Sequence, residues 1–133
     1  MAPAPVIEDE YVPNYTLDPR KVSLDEKINL LDRYRDIILG YDPAITAAQI
    51  TYNERITDLC FANTEGTYVR QEKLDIGASL GATARRGMLT VSESIGRGSS
   101  IGFDCMLDAD EELKEACDLA VRLLDAPQVK AGV

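Results

Sequence analysis

Gly96-Arg97-Gly98-Ser99-Ser100-Ile101-Gly102 is the stretch whose residue types most invite a chemical role, because glycine-rich turns present backbone N–H groups to phosphates. Its third glycine falls one place late for a dinucleotide-binding turn, and no Lys-Ser/Thr pair follows a glycine as in a P-loop. The run therefore reads as a flexible loop, and loops on rigid scaffolds line clefts. Gly96, Gly98, Ser99, Ser100 and Gly102 are the residues expected to line one here. Asp108, Asp110, Glu111 and Glu112 gather carboxylates, but the spaced acids, glycine and distal glutamate of a calcium loop are missing. Acids in the first turn of a helix explain them. Glu93 and Asp104 form a further carboxylate pair whose geometry nothing in the sequence sets. Cys60, Cys105 and Cys117 lie at separations unlike a zinc-binding pair, and no basic neighbour marks a reactive thiolate. Histidine is absent, which removes imidazole zinc sites, Ser-His-Asp triads and Cys-His dyads. The residues alone therefore assign no catalytic, cofactor-binding or metal-ligating position in this chain.

The elements that position these residues follow from periodicity. Residues 1–22 hold four of the six prolines with acids between them, and read as an extended arm or linker. Residues 23–133 form the single domain. Ser23 with Glu26 is a capping box, and Leu24, Ile28, Leu31 and Ile38 recur at helical spacing, with Tyr34 or Arg35 at the intervening step. This predicts a helix over about 23–39, with Gly40 as a left-handed cap. Period-two patterning then takes over through about residue 95. Asn53-Glu54-Arg55 reads as a short turn, and Asn63-Thr64-Glu65-Gly66 as a hairpin turn in which Asn63 and Gly66 carry the geometry. Leu74, Ile76, Ala78, Leu80, Ala82 and Ala84 share one strand face. Gly77 and Gly81 lie on the other, where they permit bending or the close approach of another backbone. A second helix over about 109–125, capped by Asp108 or Asp110, buries Leu113, Ala116, Cys117, Ala120, Val121 and Leu124. The fold class is α+β: an antiparallel meander of four or five strands with two amphipathic helices packed on one face.

Composition excludes several classes of function. At 133 residues with 45% hydrophobic and 28% charged content, the chain is an ordinary globular domain. Its net charge of −9 and scattered basic residues argue against direct binding of nucleic acid or of an anionic membrane. No apolar run is long enough to span a bilayer, and the first ten residues do not form a secretory signal. An odd, unpatterned cysteine count points to a reduced, cytoplasmic setting.

The run ITYNERITDLCFANTEGTYVRQEKLDIGASLGATAR, the preceding helix SLDEKINLLDRYRDIIL, the Asn-Thr-Glu-Gly turn and the downstream GRGSSIGF together resemble the TldD/PmbA family over roughly Pro13 to Val133. That family is described as modulators of DNA gyrase and as zinc metallopeptidases that process peptides. The family's His-Glu-x-x-x-His zinc motif would be expected just after DAPQVKAGV, and this chain has no histidine. The resemblance therefore implies a non-catalytic N-terminal or middle segment of a longer protein. It would serve as scaffold, dimer contact and one wall of a peptide channel, with Gly96, Gly98, Ser99, Ser100 and Gly102 as the channel loop. Its partners would be the missing C-terminal domain, a second subunit of the same type and an extended peptide. Zinc would belong to the parent protein and not to this chain. The alternative is a free-standing binding module with no peptidase partner.

Overall fold

The computed structural model describes residues 5–127. In chain order the elements are β1 (Glu8–Tyr11), α1 (Leu24–Leu39), β2 (Ile45–Ala62), β3 (Tyr68–Arg86), β4 (Leu89–Ser99) and α2 (Asp110–Leu123). Short 3-10 turns at Pro19–Lys21 and Phe103–Met106 precede the two helices. This is an α+β fold with a four-stranded, mostly antiparallel sheet.

β3 is the axis of the sheet. β2 pairs antiparallel with it along nearly its whole length, from Ile45 opposite Ala84 to Ala62 opposite Tyr68. On the other side, β4 covers Ile76–Arg86 antiparallel and β1 covers Tyr68–Gln71 in parallel. The parallel β1 makes the sheet mixed instead of a pure meander. It forms within a proline-free window between Pro5 and Pro13, so the arm contributes a short ladder where an unpaired segment was predicted.

Two further local expectations are overturned. Asn53-Glu54-Arg55 is not a turn: these residues stay in β2, opposite Gly77, Ile76 and Asp75. Gly96-Arg97-Gly98-Ser99 is not a flexible loop: it completes β4 opposite Ser79, Ala78, Gly77 and Ile76. In both cases a continuous ladder on β3 outweighs local turn propensity, because each rung satisfies backbone groups that a turn would leave to solvent.

The helices cover one face. Ala82, Ala84, Ala116 and Ala120 are buried, and small side chains at these positions let α2 lie close to β3. Leu80, Tyr34, Ile38, Leu113 and Cys117 fill the space between. A second cluster joins Leu74 and Ile76 to Phe103 and Met106. Each large side chain buried here contributes about 1.5–3 kcal/mol. Tyr34 resolves its polar end by donating its hydroxyl hydrogen to the Met106 carbonyl and accepting from the Ala109 N–H. Ser23 and Glu26 form the capping box at the start of α1. Gly40 at its end is right-handed (φ −87°), not left-handed, and its N–H returns to Asp36. α2 has no side-chain cap: Ala109 occupies that position, and Asp108 precedes it with φ +57°. The predicted stripe of α1 is only half buried, since Leu24 and Ile28 remain 70% and 46% exposed.

Candidate functional site

Opposite residues in an antiparallel sheet share a face. The register therefore places Gln49, Thr51 and Asn53 of β2, Gly77, Ser79, Gly81 and Thr83 of β3, and Ser92, Ser94, Gly96 and Gly98 of β4 together on the face away from the helices. No described element covers this face. Its floor is almost entirely glycine, serine and threonine. Two depressions mark it. One, of about 180 Å³, lies over Gly81 between Gln49, Thr51, Ser79, Ser92 and Ser94. The other, of about 480 Å³, lies beside Asn53, Arg55, Asp75 and Gly77. The Thr83 and Ser92 hydroxyls bond each other across strands at 2.9 Å.

Gly77 and Gly96 are informative because a Cβ at either would meet nothing within 4 Å, and neither has a positive φ. Nothing in the described chain requires glycine there. Glycine in a strand interior otherwise marks close approach of another backbone or of a ligand. Toward the β1 end the same face turns apolar, with Leu59, Phe61 and Tyr11 each more than half exposed.

The predicted channel residues separate. Gly96 and Gly98 lie on the open face. Ser99 lies opposite Ile76 on the helix side, where its hydroxyl accepts the N–H groups of Ile101 and Gly102. Ser100 lines a separate notch of about 150 Å³ with Tyr11, Pro13 and residues 72–75, where β3 is flanked by neither β1 nor β4. Gly102 is walled in: a Cβ there would overlap Thr16 Oγ1 and Asp104 Oδ1 and come within 2.7 Å of the Leu17 nitrogen. The loop is tied to the arm by Thr16 N–H to Ile101 O and Phe103 N–H to Leu17 O.

Asn63 and Gly66 shape the hairpin. Asn63 Oδ1 accepts the N–H groups of Glu65 and Thr67 at 3.1 and 3.0 Å, and Gly66 has φ +96°. The open-face residues Gln49 and Thr51 of β2 and Ser92 and Ser94 of β4 carried no motif in the sequence. Their signal was the polar half of the alternation whose apolar half defined the core.

Three of the four clustered acids are held in ion pairs. Asp110 meets Arg33, Glu111 meets Lys114 at 2.8 Å, and Glu112 meets Arg97 at 2.9 Å. Glu93 and Asp104 have separate settings. Glu93 stands opposite Ala82 on the helix side, and Asp104 accepts the Thr16 hydroxyl. A second polar cluster anchors the arm. Tyr15 donates to Glu72, and Arg20 bridges Glu72 and Asp18 at 2.9 and 2.8 Å. The Arg20 hydrogen bond lowers the Asp18 carboxyl below its usual range, and the Tyr15 and Arg20 hydrogen bonds do the same for Glu72. Burial, then the Glu72 hydrogen bond, pushes Tyr15 up to about 12.

These residues do not fit a catalytic zinc. There is no imidazole. Cys60 is exposed at the distal end of β2, Cys105 is half-buried, and Cys117 is sealed in the core with its thiol pushed up by burial. Among the described residues no three His, Cys, Asp or Glu side chains converge. No helix among them is long and apolar enough to cross a membrane.

The chain is 29% identical over 134 residues to metalloprotease slr0863 of Synechocystis sp. (strain ATCC 27184 / PCC 6803 / Kazusa), covering 98% of this chain and 28% of the relative. The chain thus spans just over a quarter of the length of that curated relative. A family model described as the PmbA/TldA metallopeptidase central domain matches residues 17–125. With most of the described fold inside that match, this chain belongs to the PmbA/TldA metallopeptidase family, as its central domain.

Proposed function

We propose that this domain is a non-catalytic scaffold of a PmbA/TldA-type metallopeptidase, and that the open face of its sheet forms one wall of the peptide channel. The observation that carries this is the face floored by Gly77, Ser79, Gly81, Gly96 and Gly98, with unfilled space above Gly77 and Gly96. A flat, small-residue surface admits an extended backbone close to the sheet. Its hydroxyls and amides offer hydrogen bonds without selecting a side chain, which suits a peptidase acting on varied extended peptides. The zinc and its ligands come from the parent protein outside this chain. A second subunit and the parent's C-terminal region are the domain's other partners. The three unpaired thiols support a cytoplasmic setting.

The test is a ¹⁵N chemical-shift titration with unstructured peptides of mixed sequence. Shifts concentrated at Thr51, Gly77, Ser79, Gly96 and Gly98, and lost in Gly96→Leu, support the wall. Shifts confined to the helix surfaces contradict it.

A further inference from the structure

The strands sort their charges between the two faces of the sheet. Register puts Glu54, Asp58, Glu72 and Glu93 on the helix side, and the first three are held there by Lys27, Arg70 and Arg20. The open face receives Arg55 and Lys73, with Asp75 beside them. Arg85, at the opposite end of this face, is turned to the Gly87 carbonyl. Arg55 and Lys73 are diagonal neighbours, since Arg55 faces Asp75 and Lys73 faces Thr57 across the β2–β3 ladder. Most arginines and lysines of this chain stand in ion pairs. Among the described residues Arg55 and Lys73 do not, and Asp75 between them pairs with neither.

Two hollows meet at this row. Arg55 walls the larger depression and Lys73 the notch, with Asp75 common to both. On one side of the row lies the glycine floor. On the other, Leu59, Phe61 and Tyr11 are exposed. Along the strands the face is thus graded from small and uncharged, through cationic, to apolar.

We propose that Arg55 and Lys73 select peptides by an internal acidic side chain, while a large apolar side chain of the same peptide rests on Leu59, Phe61 and Tyr11. This names the substrate class for the channel-wall reading and rests on that reading. The glycine floor discriminates no side chain, so selection falls to the rows beyond it. A carboxylate is the group that two unpaired cations, one of them a planar guanidinium fork, are suited to accept. The wall continues on both sides of the cations, so a chain lying along the strands runs past them. That favours a side-chain carboxylate over a chain end. An extended chain alternates its faces, and Arg55 and Thr57 precede Leu59 by four and two residues on one face. The acid and the apolar residue must therefore be two or four positions apart to meet the sheet together. A chain of net charge −9 repels acidic peptides over most of its surface, so a preference for one points to this row.

The test uses the full chain and Gly-Ser peptides with amidated C-termini, each carrying one Glu and one Phe two positions apart, followed by ¹⁵N chemical shifts. The Glu peptide should bind about threefold to tenfold more tightly than its Gln counterpart, with shifts at Arg55, Lys73 and Gly77. Moving Phe to three positions away should weaken binding, and no effect of that spacing overturns the apolar contact. Arg55→Gln with Lys73→Gln should erase the difference between the Glu and Gln peptides, and Asp75→Asn should widen it. Arg55→Glu with Lys73→Glu should invert it, so that a Lys peptide binds best. Dispersion in the same spectra shows that each variant is folded. Equal binding of the Glu and Gln peptides at the open face overturns the selection and leaves the channel wall standing. So does a Glu preference that survives the double glutamine substitution. A gain that comes only with a free C-terminal carboxylate assigns the cations to a chain end and overturns the selection as well. Shifts confined to the helix surfaces remove the wall and the selection together.

Discussion

The guanidinium of Arg97 donates to the carbonyls of Cys105, Leu107 and Asp108 at 3.2–3.4 Å and pairs with Glu112 at 2.9 Å. It thereby ties the end of β4 to the segment that launches α2, including Asp108 in its left-handed conformation. Charged hydrogen bonds contribute about 1.5–3 kcal/mol, so Arg97→Ala should destabilise by roughly 2–3 kcal/mol in urea unfolding. Arg97→Lys should recover little, because one ammonium cannot reproduce the planar fork across three carbonyls. Full rescue by lysine would show that only the charge matters. Gly66 poses the complementary case, a residue chosen for backbone and not for side chain. At φ +96° a β-branched replacement is strained, and Gly66→Val should cost about 1–3 kcal/mol. An unchanged melting temperature would contradict this.

At the scale of elements, the attachment of the arm depends on protonation. Depressed carboxyls at Asp18 and Glu72 stabilise the folded arm above their unfolded values of about 4, and that contribution disappears as pH falls through their lower folded values. Tyr15 acts in the opposite sense. Its raised value stabilises the arm below about pH 10, and the contribution is lost as pH rises toward about 12. Hydrogen exchange at Thr16 and Phe103, whose N–H groups join arm and loop, should therefore accelerate at both extremes before β3 exchanges. Simultaneous exchange of arm and sheet would show that the arm is not a separate unit. The same scale shows what could be read in advance. Leu74 to Ala84 alternates because one face is sealed by helices, and α2 carries a clean stripe, so both were legible. Asn53-Glu54-Arg55 misled because β2 there is exposed at all three positions and is held by its register on β3, leaving no apolar alternation to read. β1 was hidden by its brevity and by Pro5 and Pro13 on either side. Gly96 and Gly98 were visible as residues, but their place on a sheet face followed only from pairing with Ser79 and Gly77.

At the scale of the whole molecule, among the described residues most acids at the start of α2 and in the arm are paired with arginine or lysine, the thiols are dispersed, and the polar open face is a broad surface that no described element covers. In the proposed reading, this domain helps to position an extended peptide. The most direct measurement is elemental analysis of the purified chain together with cleavage of an unstructured peptide library, with and without a chelator. A zinc peptidase centre needs imidazole, thiolate or carboxylate ligands converging around an open position for activated water. The expected result is no stoichiometric zinc and no cleavage. Stoichiometric zinc with chelator-sensitive cleavage by this chain would contradict the scaffold assignment.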